Sequence, residues 1–421
     1  MKCRKATEAS INEALGQAMT TFMQYGVRDT LEGQYAGQRK PLFNIAVVTA
    51  LLTTLTFGIY RFWAKTRVRR YVWSSISDGR DSFEYTGTGL EKLLGFLVAV
   101  VILAIYLGVV QMGLYYFGMT LFTQPQTDEQ TMMQFATLGL TALAVVPLVF
   151  FAKYRVRRYK MARTRWRGIR FGMDKGAWGY VARALIHWAV TILSLGLLLP
   201  WQTLRLESYM TDRSWDGDAP FQQGGKWTAL LPMMGHIYMG LAIIAGGGAL
   251  ASMLALPTEG MMLSGLGGVW FIAGIVLYRV KSFCYLMNTK TLDGNIHFDA
   301  RVNTAALVST VFLGALAVVL ITGFIFGALG VGVFFVVVPA AMLGQGAMFI
   351  AIVAVIAAYL LALAMTNSLA LVWVVQPIID QVVDAITVHN ADELQFIEQR
   401  SFDEGADAEG FADALDLAAA V

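Results

Sequence analysis

Runs of apolar residues too long for a soluble core fix what this chain can be. Residues 93–122, 131–151, 227–256 and 303–338 are predominantly apolar stretches of about 20 residues or more, each long enough to cross the ~30 Å hydrocarbon core of a bilayer. The stretches 265–283, which is shorter, and 346–379, which is long, read the same way. With 57% hydrophobic and only 14% charged residues among 421, the chain is a polytopic membrane protein. The middle of these stretches carries no Asp, Glu, Lys or Arg, and intramembrane charge is what marks proton and ion pathways. An ion-coupled transporter is therefore disfavoured.

A net charge of +3 conceals an asymmetry that sets the expected topology. Residues 153–183 hold eleven Lys or Arg against the one acid Asp174, whereas 391–421 hold nine acids against Arg400. Basic loops stay in the cytoplasm, so 63–92 and 153–183 are expected inside and "TQPQTDEQT" (123–131) outside. Two stretches, 41–62 and 181–204, are ambiguous. The limb from Pro41 to Thr56 spans only about 24 Å as a helix, and Gly196 with Pro200 punctuates the other stretch. Both are expected to be re-entrant or interfacial helical hairpins, turning at "LTFGIY" and "LSLGLLLP". The alternative, two plain transmembrane helices, gives an inverted second half. Residues 1–27 lack a signal-peptide core, and Ile11, Leu15, Met19 and Phe22 suggest an amphipathic helix with a cytoplasmic N-terminus.

Internal similarity runs through the chain. "AKTRVRRY" (64–71) returns as "AKYRVRRY" (152–159), identical at seven of eight positions. Shifted by 138, residues 58–87 match 196–225 at eight of thirty positions, including Gly58/Gly196, Arg67/Arg205, Asp78/Asp216 and Phe83/Phe221, against roughly two by chance. The same skeleton of aromatic, Gly and Phe recurs at Tyr159, Gly168, Phe171 and at Tyr285, Gly294, Phe298. Its glycines are expected to end helices as left-handed caps. The alternation in "SFEYT" and "NIHFD" predicts short strands, joined by "LEGQYAG" (31–37) into a small sheet that cannot face lipid. The expected fold is mainly α: a polytopic helical membrane protein with internal repeats, re-entrant or interfacial hairpins and a small cytoplasmic β-sheet. Its expected parts are an extension (1–27), two repeat halves (28–168 and 169–295), a C-terminal transmembrane hairpin (296–380) and an acidic cytoplasmic tail (381–421). That tail either docks as an amphipathic helix on the basic face or solvates as a disordered segment.

These motifs carry a family likeness. "LFNIAVVTALLTTLTFGIYRFWAKTRVRRY", "FEYTGTGLEKLLGF", "NTKTLDGNIHF" and the acidic Gly- and Ala-rich tail resemble the YjgN-like bacterial inner-membrane proteins, a family of unknown function. The resemblance runs from about residue 28 to the C-terminus. It implies the bacterial cytoplasmic membrane and brings no catalytic residue with it.

Lys65, Arg67, Arg69 and Arg70, with their counterparts Lys153, Arg155, Arg157 and Arg158, are the candidate binding residues. Basic side chains flanked by interfacial aromatics such as Tyr60, Trp63 and Trp73 suit anionic lipid headgroups or a partner protein, although topology and packing alone explain them too. Gln111, His236 and Asn367 form a possible intramembrane polar site, against the plainer reading of helix–helix hydrogen bonds. Glycines at GxxxG spacing, Gly323 and Gly327, with Gly246–Gly248, Gly330, Gly332, Gly344 and Gly346, read as packing devices or a self-association face. Two cysteines and four scattered histidines support no metal site, and no cofactor is expected. No nucleophile–base pair is visible, so an enzyme is not expected. The expected partners are membrane lipids, a second copy or another membrane protein, and no nucleic acid. The rival function is a transporter or channel for a small or amphipathic solute.

Overall fold

The computed structural model describes residues 29–121, 124, 126–253 and 256–400. The amphipathic helix expected over 1–27 and the last part of the acidic tail lie outside the described residues.

Short strands alternate with helical pairs along the chain. Strands β1 (Thr30–Glu32) and β2 (Gln34–Tyr35) precede helices α1 (Arg39–Leu55) and α2 (Arg61–Ser74), which lead to β3 (Ile76–Ser77) and β4 (Glu84–Tyr85). The long helices α3 (Gly89–Tyr116) and α4 (Asp128–Ala162) follow, then β5 (Thr164–Trp166) and β6 (Ile169–Met173). A second short pair, α5 (Ala177–Leu193) and α6 (Leu199–Thr211), ends at β7 (Ser214–Asp216) and β8 (Ala219–Gln223). A 3-10 segment (Trp227–Met234) opens into α7 (Gly235–Met253), and α8 (Pro257–Asn288) comes back to β9 (Lys290–Leu292) and β10 (Ile296–Ala300). Finally α9 (Thr304–Leu343) and α10 (Gln345–Ala370) are continued by a π-helical turn (Leu371–Val375), α11 (Gln376–Val383) and β11 (Ile386–His389).

Every strand pairing is antiparallel, and nine strands run in the order β1-β11-β10-β9-β8-β7-β6-β5-β4. The two ends of that series meet. At Gly33 the chain bends, so β1 pairs with β11 while β2 goes on to pair with β3, and Ser77 bridges to Ser82 beside β4. Gly33 N donates to Ile386 O at 2.9 Å, and Phe83 N donates to Ile76 O at 3.0 Å. The curled sheet thus closes into a ring. Its strands are two to five residues long, far short of the about 9–11 residues a membrane-spanning strand needs, so the ring lies outside the bilayer core. Each of the five helical pairs leaves it and returns to it.

Among the described residues, six helical segments are long and apolar enough to cross a membrane: Gly89–Tyr116, Asp128–Ala162, Trp227–Met253, Pro257–Asn288, Thr304–Leu343 and Gln345–Val383. They coincide with the six apolar stretches of the sequence, and their outward faces carry side chains such as Val98, Val101 and Ile105 that hydrocarbon solvates. Polar caps mark their starts. Thr88, Thr127 and Asn303 accept from the backbone N–H three residues on.

The ambiguous stretches are each a pair of short limbs. α1 and α5 are both 17 residues long. The chain reverses through left-handed residues, Phe57 (φ 51) with Gly58 (φ 91) in one turn and Leu195 (φ 52) with Gly196 (φ 86) in the other. These positions lie 138 apart. Phe57 is 97% exposed and Leu195 86%, so each tip presents a large apolar side chain outward.

The repeated glycines do not end helices as expected. The helices stop earlier, at Ser74, Ala162, Thr211 and Asn288, and a strand intervenes before the glycine. Gly168 (φ 79) follows Arg167 (φ 55) in a two-residue turn between β5 and β6, where both central positions need positive φ. Gly217 (φ 56) and Gly294 (φ 77) occupy the β7–β8 and β9–β10 turns. The element is helix, strand, turn, strand. Its turn chemistry mimics a helix cap in sequence because both demand the left-handed conformation.

Helices α7 and α8 pack through glycines seven residues apart, Gly240 and Gly247 on one and Gly260, Gly267 and Gly274 on the other. A Cβ at Gly267 would stand 2.7 Å from Ile244 N, and one at Gly274 2.8 Å from the backbone of His236 and Ile237. Gly323 and Gly327, by contrast, face open space. Gly267→Val is expected to destabilise the protein by about 1–3 kcal/mol through overpacking, whereas Gly323→Val stays within roughly 0.5 kcal/mol. Thermal unfolding in detergent checks the contrast.

Candidate functional site

The two octets fold onto the same kind of surface but spend their charges differently. Val68 and Val156 are both buried. Arg69 is fully buried with its guanidinium over the Tyr85 ring, whereas its octet counterpart Arg157 is half-buried in an ion pair. Arg70 is exposed while its counterpart Arg158 is buried and donates from Nε to Met173 O at 3.0 Å. Arg155 lies against the Phe151 ring. Arg67, over Tyr60, and Lys153 are exposed, and Lys65 is half-buried.

Lys65 belongs to a groove of about 710 Å³ between the α1–α2 pair and α10. Arg61, one turn before Lys65, lies on the same wall. Thr49, Thr53 and Asn367 add polar atoms, and Leu360 and Leu363 supply apolar surface. The threonine hydroxyls donate back to carbonyls one turn earlier, which is how such residues stay satisfied in an apolar setting. The π-helical turn contributes Leu371 and Val375 to the same wall.

Gln111, His236 and Asn367 stand on three different helical pairs, and no contact brings them together. Gln111 Nε2 donates to Thr141 Oγ1 across α3 and α4 at 2.8 Å. His236 lies 6.0 Å from the Trp270 ring between α7 and α8. Asn367 is exposed in the groove.

A second site occupies the inside of the ring. The four phenylalanines of the repeated skeleton line it: Phe171 lies 6.2 Å from Phe83, Phe221 6.4 Å from Phe171, and Phe298 6.2 Å from Phe221, centroid to centroid. Trp166 stacks on Phe83 at 5.5 Å with planes 10° apart. Alternation in each strand puts these rings on one face, and stacked aromatic pairs add about 0.5–1.5 kcal/mol each beyond burial. They surround about 510 Å³, with Asp216, Lys160 and Lys290 among the lining residues. Leu394, from the 3-10 segment Ala391–Phe396, closes one end. Glu398 N donates to Asp218 Oδ1, and Arg170 N to Gln399 Oε1, so this first part of the acidic tail is tied to the ring.

Electrostatics are concentrated where the ring meets the helices. Glu207 accepts two hydrogen bonds from Arg157, at 2.8 and 2.9 Å, and Lys290 Nζ approaches it to 3.8 Å. Burial pushes the Glu207 carboxyl up, but the Arg157 guanidinium outweighs it and holds the pKa down at about 2. Burial pulls Lys290 below its ordinary value against the opposing pull of Glu207. Asp216 goes the other way: burial, reinforced by Asp218 and opposed by Arg167, raises it to about 7. Sequence reading missed Glu207 and Lys290. The available signal was charge reversal, since Glu207 stands 138 residues after Arg69, where the motif otherwise carries a base.

A family model described as "Bacterial protein of unknown function (DUF898)" matches residues 30–414. The chain belongs to that family. Its match starts at the first residue of β1 and takes in every strand of the ring. Curated relatives include the inner membrane protein YjgN of Salmonella typhimurium (strain LT2), 27% identical over 150 residues, which are 35% of this chain and 33% of that one. The inner membrane protein YjgN of Escherichia coli O157:H7 is 28% identical over 147 residues, 34% and 32% of the two chains. The chain thus spans about a third of the length of the curated relatives it matches. No solved structure matches.

The two shifted carboxyls predict opposite pH responses. For Glu207 the folded pKa is depressed, so its contribution, on the order of 3 kcal/mol, is present above about 4.5 and lost as pH falls toward 2. Glu207→Gln should therefore destabilise the protein at pH 7, and the penalty should shrink in acid. For Asp216 the folded pKa is raised, so stability declines as pH rises from 3.8 to about 7. Asp216→Asn should flatten that decline. Unfolding midpoints measured from pH 3 to 8 check both signs.

Proposed function

We propose that this is a non-enzymatic protein of the bacterial inner membrane that seats an anionic lipid in the groove between the α1–α2 pair and α10. The supporting observation is the placement of Arg61 and Lys65 on one wall of a channel otherwise lined by apolar and threonine side chains. Basic side chains hold a phosphate while acyl chains follow the apolar wall. Exposed Arg67 and Arg70 on the same helix extend the positive surface. Arg69, Arg157 and Arg158 serve the fold, through the Tyr85 ring, Glu207 and Met173 O, and lie outside this groove. The exposed tips Phe57 and Leu195 support both short pairs dipping into the bilayer from the ring side.

In this reading the ring faces the cytoplasm, with both chain termini on that side. The basic segments 63–92 and 153–183 lie at the ring, as the positive-inside bias asks. Matched limbs and turns 138 residues apart support two related halves, 28–168 and 169–295, followed by a hairpin over 296–380. In a cysteine-free background, Asp293→Cys at a ring turn should react with an impermeant maleimide only after the inner membrane is opened. Gln126→Cys, between α3 and α4, should react from the periplasm. The reverse pattern would invert the orientation.

For the lipid, native mass spectrometry of the protein released from nanodiscs of phosphatidylglycerol and phosphatidylethanolamine is the direct assay. Arg61→Gln/Lys65→Gln is expected to lower retention of phosphatidylglycerol at least tenfold relative to Lys153→Gln. Equal retention would remove the lipid reading and leave a partner protein as the occupant of the basic helix. A transporter reading has one observation in its favour: the π-helical turn interrupts the helix exactly beside the groove wall it lines, and such turns are frequent at functional sites. It predicts that Asn367→Cys is labelled from both faces of the membrane, whereas a lipid seat is not.

A further inference from the structure

The interior of the ring is a second binding site, distinct from the groove. We infer that it takes a hydrophobic, planar aromatic molecule carrying a single hydrogen-bond donor, a hydroxyl or an amine, with that donor on Asp216. The shape argument comes from the walls. Phe83, Phe171, Phe221 and Phe298 form a continuous curved stack, and Trp166 extends it, so flat apolar faces surround a space of about 510 Å³. That volume falls within the few hundred to about a thousand Å³ of small-molecule sites. Leu31, Leu292 and Val388 complete a wall that is almost wholly hydrocarbon.

The chemical argument comes from what is left unsatisfied. Asp216 is 3% exposed and lines the cavity, yet its Oδ1 has no hydrogen-bond partner. A buried acceptor without a donor costs about 1–3 kcal/mol, more for a charged group, and persists where something else supplies the donor. The neighbouring cations leave that oxygen without a donor: Arg167 acts on Asp216 through its charge, and Lys290, on the same lining, is directed to Glu207 at 3.8 Å. In the register of the sheet Asp216 faces Phe171, which places the carboxyl at the level of the aromatic stack. A ring lying against Phe171 with a donor on its edge meets both. Leu394 lines the same cavity, and the segment that carries it is held to the ring by the Asp218 and Gln399 hydrogen bonds.

The probe pair is 1-aminoanthracene and anthracene, which differ only by the donor. Native mass spectrometry counts probe per chain free of lipid background, and hydrogen exchange of residues 169–173 and 219–223 locates it. One 1-aminoanthracene per chain is expected, with slowed exchange in both strands. Asp216→Ala should weaken 1-aminoanthracene about tenfold, or ~1.4 kcal/mol, and leave anthracene unchanged. Val388→Phe, which adds a ring to the cavity, should abolish both. Absence of one-to-one binding to the native protein overturns the inference, as does equal weakening of both probes by Asp216→Ala. Because the Asp216 comparison and the exchange pattern do not depend on Val388→Phe folding, failure of that variant leaves the inference testable.

Discussion

The bend at Gly33 is the constraint on which the rest of the architecture depends. The segment 30–35 pairs before the bend, as β1, with β11 from the far end of the described chain and after it, as β2, with β3. A Cβ at Gly33 would collide with the Val383 carbonyl, so only glycine allows so close an approach. With the strand in place the sheet has its two ends joined, and backbone groups that would otherwise need water or another chain are paired. Strands of two to five residues are too short for that ring to cross hydrocarbon, which takes about 9–11 residues per strand. Each of the five helical pairs starts and ends at a strand of this ring, so a local hydrogen-bond requirement fixes where the helices begin and stop.

The ring also explains why similar residues recur along the chain and then diverge. Each strand hairpin needs a left-handed turn and one inward aromatic, and Gly168, Gly217 and Gly294 with Phe171, Phe221 and Phe298 supply them. Charge at the junction with the helices follows no such rule. Arg157 lies 88 residues after Arg69 and Glu207 lies 138 after it, so matching positions of neighbouring units meet as a bidentate ion pair. An arginine at both would place two cations at one half-buried point, costing several kcal/mol. Neighbours in a ring cannot all be alike where they touch.

Much of this was legible in the sequence, and the reasons for the rest are physical. The six apolar segments were plain because bilayer thickness imposes a length that few soluble helices share. The short pairs were legible from Gly58 and Gly196 together with limb length. Placement of the repeated glycines was misjudged, since a hairpin turn and a helix cap ask the same thing of φ and only pairing partners separate them. Residues 31–37 were legible as part of the sheet but the closure was not: β1 pairs with β11 at residues 387–389, and so short a strand carries no periodicity signal. The octet was visible, but its octet-paired Arg70 and Arg158 have opposite burial because their surroundings come from different helices.

Two elements wall both candidate sites. Helix α2 gives Lys65 and Val68 to the groove and Trp73 to the ring cavity, while the segment after α10 gives Leu371 and Val375 to the groove and Val383 and Ile386 to the cavity. The second of them is tied to residues 33–37: Tyr35 N donates to Asp384 Oδ1, Gly33 N to Ile386 O, and Gln376 Nε2 to Gly37 O at 3.0 Å. Widening the groove by moving the π-helical turn away from α1 therefore pulls on the strand that closes the ring. A rigid separation would break three hydrogen bonds at once, each worth about 0.5–1.5 kcal/mol net. The walls of the groove and of the aromatic cavity thus share one set of hydrogen-bonded ties around Gly33.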